Sequence, residues 1–173
     1  MRPAVASDVD MIAALIEAVH AELAPERGGA SWLVSEARAV PLRPSIQGDI
    51  AAPDVHVRVS GIDGVVLAVA VTRMRERHDA SRVALVSELV VDPAARGVGL
   101  GVGLLDDAVV WAREMGAVGI ESTALPGQRA TKNFFEAAGM KARLLTVYAS
   151  LIDDEPASDT RPPEAAEEEQ RPE

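Results

Sequence analysis

The stretch Arg96-Gly97-Val98-Gly99-Leu100-Gly101 joins a strand to a helix, and it decides the fold. Residues 83–91 before it are apolar and rich in β-branched side chains, which is typical of a buried strand. Residues 100–115 after it carry apolar side chains at helical spacing. Backbone N–H groups of such a turn can converge on one anion, and the helix dipole adds positive potential there. The sequence therefore predicts a loop that binds phosphate.

Two familiar glycine fingerprints do not fit this loop. A dinucleotide fingerprint, Gly-x-Gly-x-x-Gly, would need glycine at Val102 or Leu104, and a P-loop needs Gly-Lys-Ser/Thr, which is missing from the sequence. A glycine turn without a ligand is the plainer alternative. However, glycines recur at 97, 99, 101 and 103, and inside a helix each costs up to ~1 kcal/mol relative to alanine. A purely structural turn would not need so many.

Composition limits the class of protein. At 173 residues and 48% hydrophobic content, the chain is expected to form one globular domain, residues 1–152. Residues 153–173 hold nine acidic and two basic residues and are rich in proline, glutamate and alanine, so we expect a disordered acidic tail. That tail carries −7 of the net charge of −10, which leaves −3 for the domain.

Several functions are disfavoured by what the sequence lacks. It has no cysteine, which excludes disulfides, thiolate zinc sites and a thiol nucleophile, and we predict no metal site. No apolar run reaches the ~18 residues that a membrane span needs, and no basic patch for nucleic acid is visible. We therefore expect a cytoplasmic protein with neither a membrane nor a nucleic-acid partner. A homodimer is a reasonable expectation, because two-fold dimers are the commonest oligomers.

The pattern predicts a mixed α/β order, β-α-α-β-β-β-α-β-α-β. The strand–helix–strand unit over residues 83–123 is a right-handed crossover, so two strands should be parallel within an otherwise antiparallel sheet. Residues 41–53 contain prolines and are left unassigned. The predicted strands are 2–6, 55–60, 65–75, 83–91, 118–123 and 140–151, and the predicted helices are 8–24, 31–40, 100–115 and 129–138.

Two segments together resemble one family. Residues 89–101, Leu-Val-Val-Asp-Pro-Ala-Ala-Arg-Gly-Val-Gly-Leu-Gly, resemble the acetyl-coenzyme A motif of the GNAT superfamily of N-acetyltransferases. Residues 134–140, Phe-Phe-Glu-Ala-Ala-Gly-Met, are similar to a second segment of that superfamily, at the matching distance. The resemblance covers residues 1–152. It implies an α/β (α+β) fold, with a mixed central sheet of six or seven strands flanked by about four helices.

The resemblance also implies how acetyl-CoA, or coenzyme A, is held. Backbone N–H groups of residues 97–102 would hold the pyrophosphate, and the backbone of Leu89, Val90 and Val91 would pair with the pantetheine arm. An N–H at Val90 or Val91 would then polarise the thioester carbonyl. The full set of expected cofactor-binding residues is Leu89, Val90, Val91, Arg96, Gly97, Val98, Gly99, Leu100, Gly101, Val102, Gln128, Lys132, Asn133 and Phe135.

Three residues are candidates for proton transfer. Glu88 interrupts an apolar strand, where a carboxylate is costly unless it is paired or used, so it is the first candidate for the general base. Glu121 on the next strand is the second candidate. Tyr148, the one tyrosine of the chain, could serve as the acid, since Phe135 stands where family members commonly carry a tyrosine. Salt bridges and sheet packing are the alternative roles of these three residues.

The expected function is the transfer of an acetyl group to a primary amine, by direct attack in a ternary complex. The acceptor is left open between a small molecule and a peptide or protein amine. Because Phe135 cannot donate a proton, a non-catalytic module that binds acyl-CoA stays open as an alternative. A transferase of a different acyl group is a further alternative with the same fold. Only twelve residues, 140–151, are available for a last strand, so the acceptor site is expected either to be more open or to be closed by a partner subunit. Trp32 is a candidate for its wall.

Overall fold

A computed structural model describes residues 1–149 and 151. The chain divides into two compact units, residues 1–140 and 141–173. The acidic tail predicted for residues 153–173 lies outside the described residues. In the described part of the chain, no helix is long and apolar enough to cross a membrane.

The first unit contains five α-helices and five strands. The helices are α1 (Val9–Leu23), α2 (Gly29–Ser35), α3 (Leu42–Ala51), α4 (Leu100–Glu114) and α5 (Arg129–Ala137). The strands are β1 (Arg2–Pro3), β2 (Val55–Ile62), β3 (Val65–Glu76), β4 (Arg82–Val91) and β5 (Gly119–Ser122). Short 3-10 turns at Ala6–Asp8 and Pro93–Ala95 precede α1 and α4.

The five strands form one sheet in the order β1-β2-β3-β4-β5. The first four strands pair antiparallel, and β4 pairs parallel with β5 because α4 carries the chain back across the sheet. The predicted mixed sheet with its crossover is therefore confirmed. The expected count of six or seven strands is not met within residues 1–149, where the sheet has five.

The predicted last strand, residues 140–151, is wrong over its described part. Residues 141–149 have no regular secondary structure, and their apolar side chains at Leu144, Leu145 and Val147 are exposed. A β-branched pattern stabilises a strand only when a neighbouring strand accepts its backbone hydrogen bonds and one face is buried. Neither condition is met in this segment.

A helix fills the segment that the sequence left unassigned. α3 begins directly after Pro41 and contains Pro44 in its first turn, where a helix has no internal acceptor for an N–H group. Leu42 and Ile46, four residues apart, are 4% and 1% exposed and fix the helix to the sheet. The sequence did not reveal this helix, because proline usually indicates a loop and a helix tolerates it only in the first turn.

The core lies on both faces of the sheet. On one face α1 and α3 pack on β2, β3 and β4 through a cluster that includes Ile12, Ile16, Ile46 and Val90. On the other face α4 buries Leu104 and Leu105. Complete burial of one such aliphatic side chain contributes about 1.5–3 kcal/mol, so these helices hold the ends of β4 and α4 in fixed positions.

Candidate functional site

The cofactor loop, residues 96–101, has the backbone that its glycines predict. Asp92 follows β4, and its carboxylate accepts a hydrogen bond of 2.9 Å from the Ala94 N–H, which shapes the turn before the loop. Gly97 and Gly99 have φ of 84° and 91°, in a region that side-chain-bearing residues rarely adopt. Gly99 caps α4, so the loop runs directly into the positive end of a fifteen-residue helix.

The loop presents a row of unpaired N–H donors. Among the described residues, no acceptor lies opposite the N–H groups of residues 97–102, and the first to be paired is that of Gly103, which donates to the Gly99 carbonyl at 3.0 Å. A Cβ atom added at Gly97 or Gly99 would meet nothing within 4 Å. The first turn of α4 contains no acidic residue. The loop is therefore open and rich in donors, and the first turn of α4 adds no negative charge of its own, which suits an anion site.

Gly101 has a different role from its neighbours. A Cβ atom there would lie 3.3 Å from Val91 Cγ2 and 3.6 Å from Phe134 Cε2. The glycine thus lets the first turn of α4 approach β4 and α5 closely. The direction in which a side chain would point is filled by Val91 and Phe134, so Gly101 can offer a ligand only its N–H.

Next to the loop, β4 loses its parallel neighbour. Pairing of β4 with β5 ends at Val86 and Ser122, and the Ser122 hydroxyl donates to the Val86 carbonyl at 3.0 Å. Residues 88–91 of β4 continue to pair with β3 alone. We call this opening the strand fork. Its free edge on β4 leads towards the cofactor loop.

The alternation of an antiparallel ladder determines which groups face the strand fork. The Asp92 N–H donates to the Leu67 carbonyl at 2.8 Å, so the residue pairs bonded across β3 and β4 recur every second position from there. Val90 is then bonded to β3, whereas the N–H and C=O groups of Leu89 and Val91 point to the free edge. Of the two N–H groups considered for the thioester carbonyl, that of Val91 is the one with access.

The Arg96 side chain contacts α1 and does not extend over the N–H groups of the loop. Its guanidinium donates to both oxygens of Glu22, at 3.0 and 2.6 Å, and its Nε lies 3.3 Å from the Val91 carbonyl. The hydrogen bonds with Arg96 lower the pKa of Glu22 and raise that of Arg96. This ion pair fixes the cofactor loop to the last turn of α1. The sequence offered no signal for Glu22, because its partner is 74 residues away.

Glu88 lies at the strand fork inside a network of charges. Its Oε1 accepts from Arg38 Nε at 2.8 Å and its Oε2 from the Ser87 hydroxyl at 2.5 Å. Arg38 Nη2 also lies 2.7 Å from Asp49 Oδ2 in α3. The Arg38 and Glu88 side chains are only 4% and 11% exposed. Burial opposes the charge on Arg38, but the two carboxylates outweigh it and raise its pKa, so the guanidinium stays charged.

A β-bulge places Glu88 on this face of the sheet. Val71 pairs with Glu88 and Thr72 with Val86, so Ser87 is an extra residue on β4. The expected helix over 31–40 ends at Ser35, which leaves Arg38 in a loop that reaches the network. Sequence reasoning identified Glu88 and missed Arg38, because loop residues carry no periodic signal.

The other two proton-transfer candidates have surroundings of their own. Glu121 forms an ion pair with Arg75, and its Oε1 accepts from Arg77 at 3.0 Å, so its carboxylate is held by two guanidinium groups near the far end of β3. Tyr148 falls in the segment without regular structure, where its side chain is 69% exposed. Of the two glutamates, Glu88 is the one on the part of β4 that borders the strand fork, whereas Glu121 is held by Arg75 and Arg77.

The residues expected on α5 also take unequal positions. Phe135 and Phe134 stack edge to face at 5.2 Å and pack against a cluster of Val86, Leu105 and Ala108. Lys132 and Asn133 are exposed, and Lys132 Nζ lies 2.8 Å from Glu136 Oε1 on the same helix. Gln128 precedes the first residue of α5 and accepts the Lys132 N–H through its carbonyl.

An apolar groove lies between α1 and the end of β4. Its volume is about 490 Å³. It is lined by Met11, Ala14, Leu15, Ala18, Val19, Ala21 and Glu22 of α1 and by Val90, Val91, Asp92 and Pro93. The groove borders both the strand end and the residue that pairs with Arg96, so it extends the site along α1.

A strand fork that leads into a donor-rich loop defines a protein that can hold an extended, anionic ligand along a sheet. The family model of the acetyltransferase (GNAT) family matches residues 16–140. The chain therefore belongs to the GNAT acetyltransferase family, whose members bind acetyl-CoA or coenzyme A. A comparison with curated proteins finds no match.

Solved structures share the fold. A tetramutant of the BH1408 protein from Bacillus halodurans is 20% identical, with a TM-score of 0.75 over 87% of this chain and 98% of that one. An aminoglycoside 6'-N-acetyltransferase, AAC(6')-Ig from Acinetobacter haemolyticus, is 19% identical, with a TM-score of 0.64 over 88% and 98%. The aminoglycoside N-acetyltransferase AAC(6')-Iy, in a complex with CoA, is 16% identical, with a TM-score of 0.65 over 86% and 96%. At these identities the likeness establishes the fold alone.

Proposed function

We propose that this protein is an acetyl-CoA-dependent N-acetyltransferase that acetylates a primary amine by direct attack in a ternary complex. The observation that carries the proposal is the continuity of the strand fork with the cofactor loop. One end offers free backbone groups to an extended amide-bearing arm, and the other offers unpaired N–H groups to a diphosphate. Coenzyme A has this sequence of chemical groups along its length.

The donor would be held mainly by the main chain. The N–H groups of residues 97–102 and the α4 dipole would stabilise the pyrophosphate charge. The outward N–H and C=O groups of Leu89 and the outward N–H of Val91 would pair with the pantetheine amides as an added strand does, while the Val91 carbonyl already accepts from Arg96. The Val91 N–H would then lie beside the thioester carbonyl, where a donor stabilises the developing oxyanion.

The acceptor would approach from the face of the sheet that carries α1, α3 and Glu88. The chain has no cysteine, so an acyl-enzyme on a thiol is excluded and direct attack is the simplest route. Holding the amine against the thioester supplies much of the rate enhancement by positioning alone. Aminoglycosides belong in the acceptor panel, because two structures of similar fold are named as aminoglycoside acetyltransferases.

A non-catalytic module that binds acyl-CoA is the second candidate, and Phe135 favours it. The ring packs against Phe134 and an apolar cluster, and it has no hydroxyl to protonate the departing thiolate. A transferase of a different acyl group is a third possibility for the same site. The homodimer stays a prediction that sedimentation equilibrium would test.

Calorimetry and thiol release together test these functions. Acetyl-CoA and CoA are titrated into the protein, and CoA release is then followed with a panel containing an aminoglycoside, a polyamine, a peptide with a free N-terminus and a lysine peptide. Binding together with release on at least one amine is expected. The absence of binding at millimolar concentration would overturn every version of the proposal. Tight binding with no release from acetyl-, propionyl- or succinyl-CoA would favour the module.

A further inference from the structure

His20 continues the stripe of α1 that faces the sheet. Ile12 and Ile16 are 0% and 1% exposed and pack in the cluster that contains Val90 of β4. His20 follows Ile16 by four residues, so its side chain lies one helical turn further along the same face. Two residues later, Glu22 reaches the cofactor loop through Arg96. The last turns of α1 therefore lie over the half of β4 that borders the strand fork.

The imidazole of His20 lies between an aromatic ring and a set of charges. Its ring meets the edge of Trp32 at a centroid distance of 5.6 Å and an interplanar angle of 85°. Three charged groups are near enough to act on it: Glu88 of β4, Arg38 of the loop after α2, and Glu17 of α1 itself. Within residues 1–149 and 151, neither ring nitrogen has a hydrogen-bond partner. A half-buried imidazole of this kind has a nitrogen available to a ligand.

The carboxylate of Glu88, in contrast, is already occupied. Each oxygen accepts a hydrogen bond, one from Arg38 and one from Ser87. Protonation of Glu88 would remove the charge that faces Arg38, whose side chain is only 4% exposed. Leaving a buried guanidinium with one carboxylate fewer is unfavourable, so Glu88 is a poor acceptor for the proton of a substrate.

We propose that His20, and not Glu88, takes the proton from the attacking amine, and that Glu88 stabilises the imidazolium that forms. This inference rests on the proposed transferase function. The amine nitrogen bonds to the acetyl carbon, the C–S bond breaks, and the departing CoA thiolate keeps that electron pair and takes a proton from water. His20 accepts the proton lost by the amine and returns it to water. The sum is an acetylated amine and CoA with a free thiol.

The protonation state of His20 suits this role. Burial lowers the pKa of His20, the charge of Arg38 lowers it further, and those of Glu88 and Glu17 oppose the shift only in part. Since the pKa lies below the ordinary value for histidine, the imidazole is neutral at pH 7 and can accept a proton. Its basic form is lost as the pH falls through that lowered pKa, so kcat/KM should show an acid limb there.

Three variants separate His20 from Glu88. We would measure kcat/KM against pH for wild type, His20→Gln, Glu88→Gln and the control His78→Gln, with acetyl-CoA and the fastest amine of the panel. One acceptor is used throughout, so its own ionisation is common to all profiles. His78 lies in an exposed turn after β3 and belongs to neither the loop nor the strand fork.

The expected profiles differ in kind. His20→Gln should lose about 100-fold or more in kcat/KM at neutral pH, and the acid limb due to His20 should disappear and leave only the one set by the amine itself, while the affinity for CoA is kept. Glu88→Gln should keep the acid limb but move its midpoint to lower pH, because a negative charge that favours the imidazolium is gone. His78→Gln should match wild type. Titration of the wild-type His20 ring by NMR should give the same midpoint as the acid limb.

The failures can be told apart. CoA binding without thiol release on any amine would overturn the transferase function and this inference with it. Release with an acid limb unchanged in His20→Gln, or an acid limb lost in Glu88→Gln, would overturn the role of His20 alone. If His20→Gln fails to fold, the wild-type NMR titration decides, and a midpoint away from the acid limb refutes the proposal.

Discussion

Replacing Gly99 by alanine tests the cofactor loop, because the structure shows why this change should lower the stability of the protein. Gly99 has a φ of 91°, and a Cβ atom there would meet nothing within 4 Å. Steric conflict with the protein is therefore absent, and the penalty comes from the backbone alone. A left-handed conformation costs a residue with a Cβ about 1–2 kcal/mol. The free energy of unfolding should fall by that amount.

The loss in CoA binding should exceed what stability alone explains. An alanine that relaxes its φ turns the N–H groups of the following residues away from their common direction, and its methyl group stands on the open side of the loop. We expect the Kd for CoA to rise at least about tenfold, equivalent to about 1.4 kcal/mol. Isothermal titration calorimetry measures the Kd, and urea unfolding followed by circular dichroism measures the stability.

Gly103→Ala is the matched control. Gly103 lies one turn further along α4 with an open Cβ direction and a φ outside the left-handed region, so alanine should stabilise the helix by about 0.5–1 kcal/mol and leave CoA affinity unchanged. The two changes add the same methyl group but should shift stability in opposite directions. Gly99→Asn separates backbone from side chain, because asparagine tolerates a positive φ. Wild-type CoA affinity in Gly99→Ala would refute the role of the loop.

Three further changes have defined outcomes. Asp8→Ala leaves the Val5 N–H without its acceptor and removes the partner of Arg2, so unfolding free energy at pH 7 should fall by about 1–2 kcal/mol. Hydrogen bonding to Arg2 lowers the pKa of Asp8, so the stability that Asp8 contributes is present above about pH 4 and is lost as the pH falls through the lowered pKa. If the urea midpoints of wild type and Asp8→Ala differed by the same amount at pH 7 and at pH 2, this reasoning would be contradicted. Glu22→Gln should lower the free energy of unfolding in urea by less than about 1 kcal/mol, because Glu22 and Arg96 are both about half exposed. A larger loss would show that this ion pair is stronger than its exposure implies. Glu121→Gln should leave turnover nearly unchanged, since two arginines hold its carboxylate; a fall of about 100-fold would make Glu121 the base after all.

Most of the sheet could be predicted because its signals are local. Residues 65–75 and 83–91 carry long apolar and β-branched runs, and the structure places β3 and β4 there. The predicted strand at 140–151 had a similar pattern and failed over its described residues. What a strand needs besides pattern is a partner edge, and local sequence does not reveal whether one is available. α3 was missed for another reason, because Pro41 and Pro44 are typical of a loop and a helix tolerates proline only in its first turn.

The candidate site divides in the same way. The cofactor loop could be located from glycine spacing alone, since a positive φ restricts the residue type at Gly97 and Gly99. Glu88 could be singled out because a carboxylate is rare in an apolar strand. Its partner Arg38 lies 50 residues away, and no spacing rule connects the two. No spacing rule singles out His20, which the structure places beside Trp32 and within reach of the charge on Glu88.

By itself, the sequence determined the order of the elements from β2 to α5, the conformation of the cofactor loop and the family resemblance, because each depends on neighbours along the chain. The tertiary structure alone decided where β4 parts from β5, which backbone groups of Leu89 and Val91 face the strand fork, and which side chains surround Glu88. Those features arise from contacts between residues that are far apart in the chain. Their free energy depends on burial and charge in three dimensions, which a one-dimensional pattern does not contain.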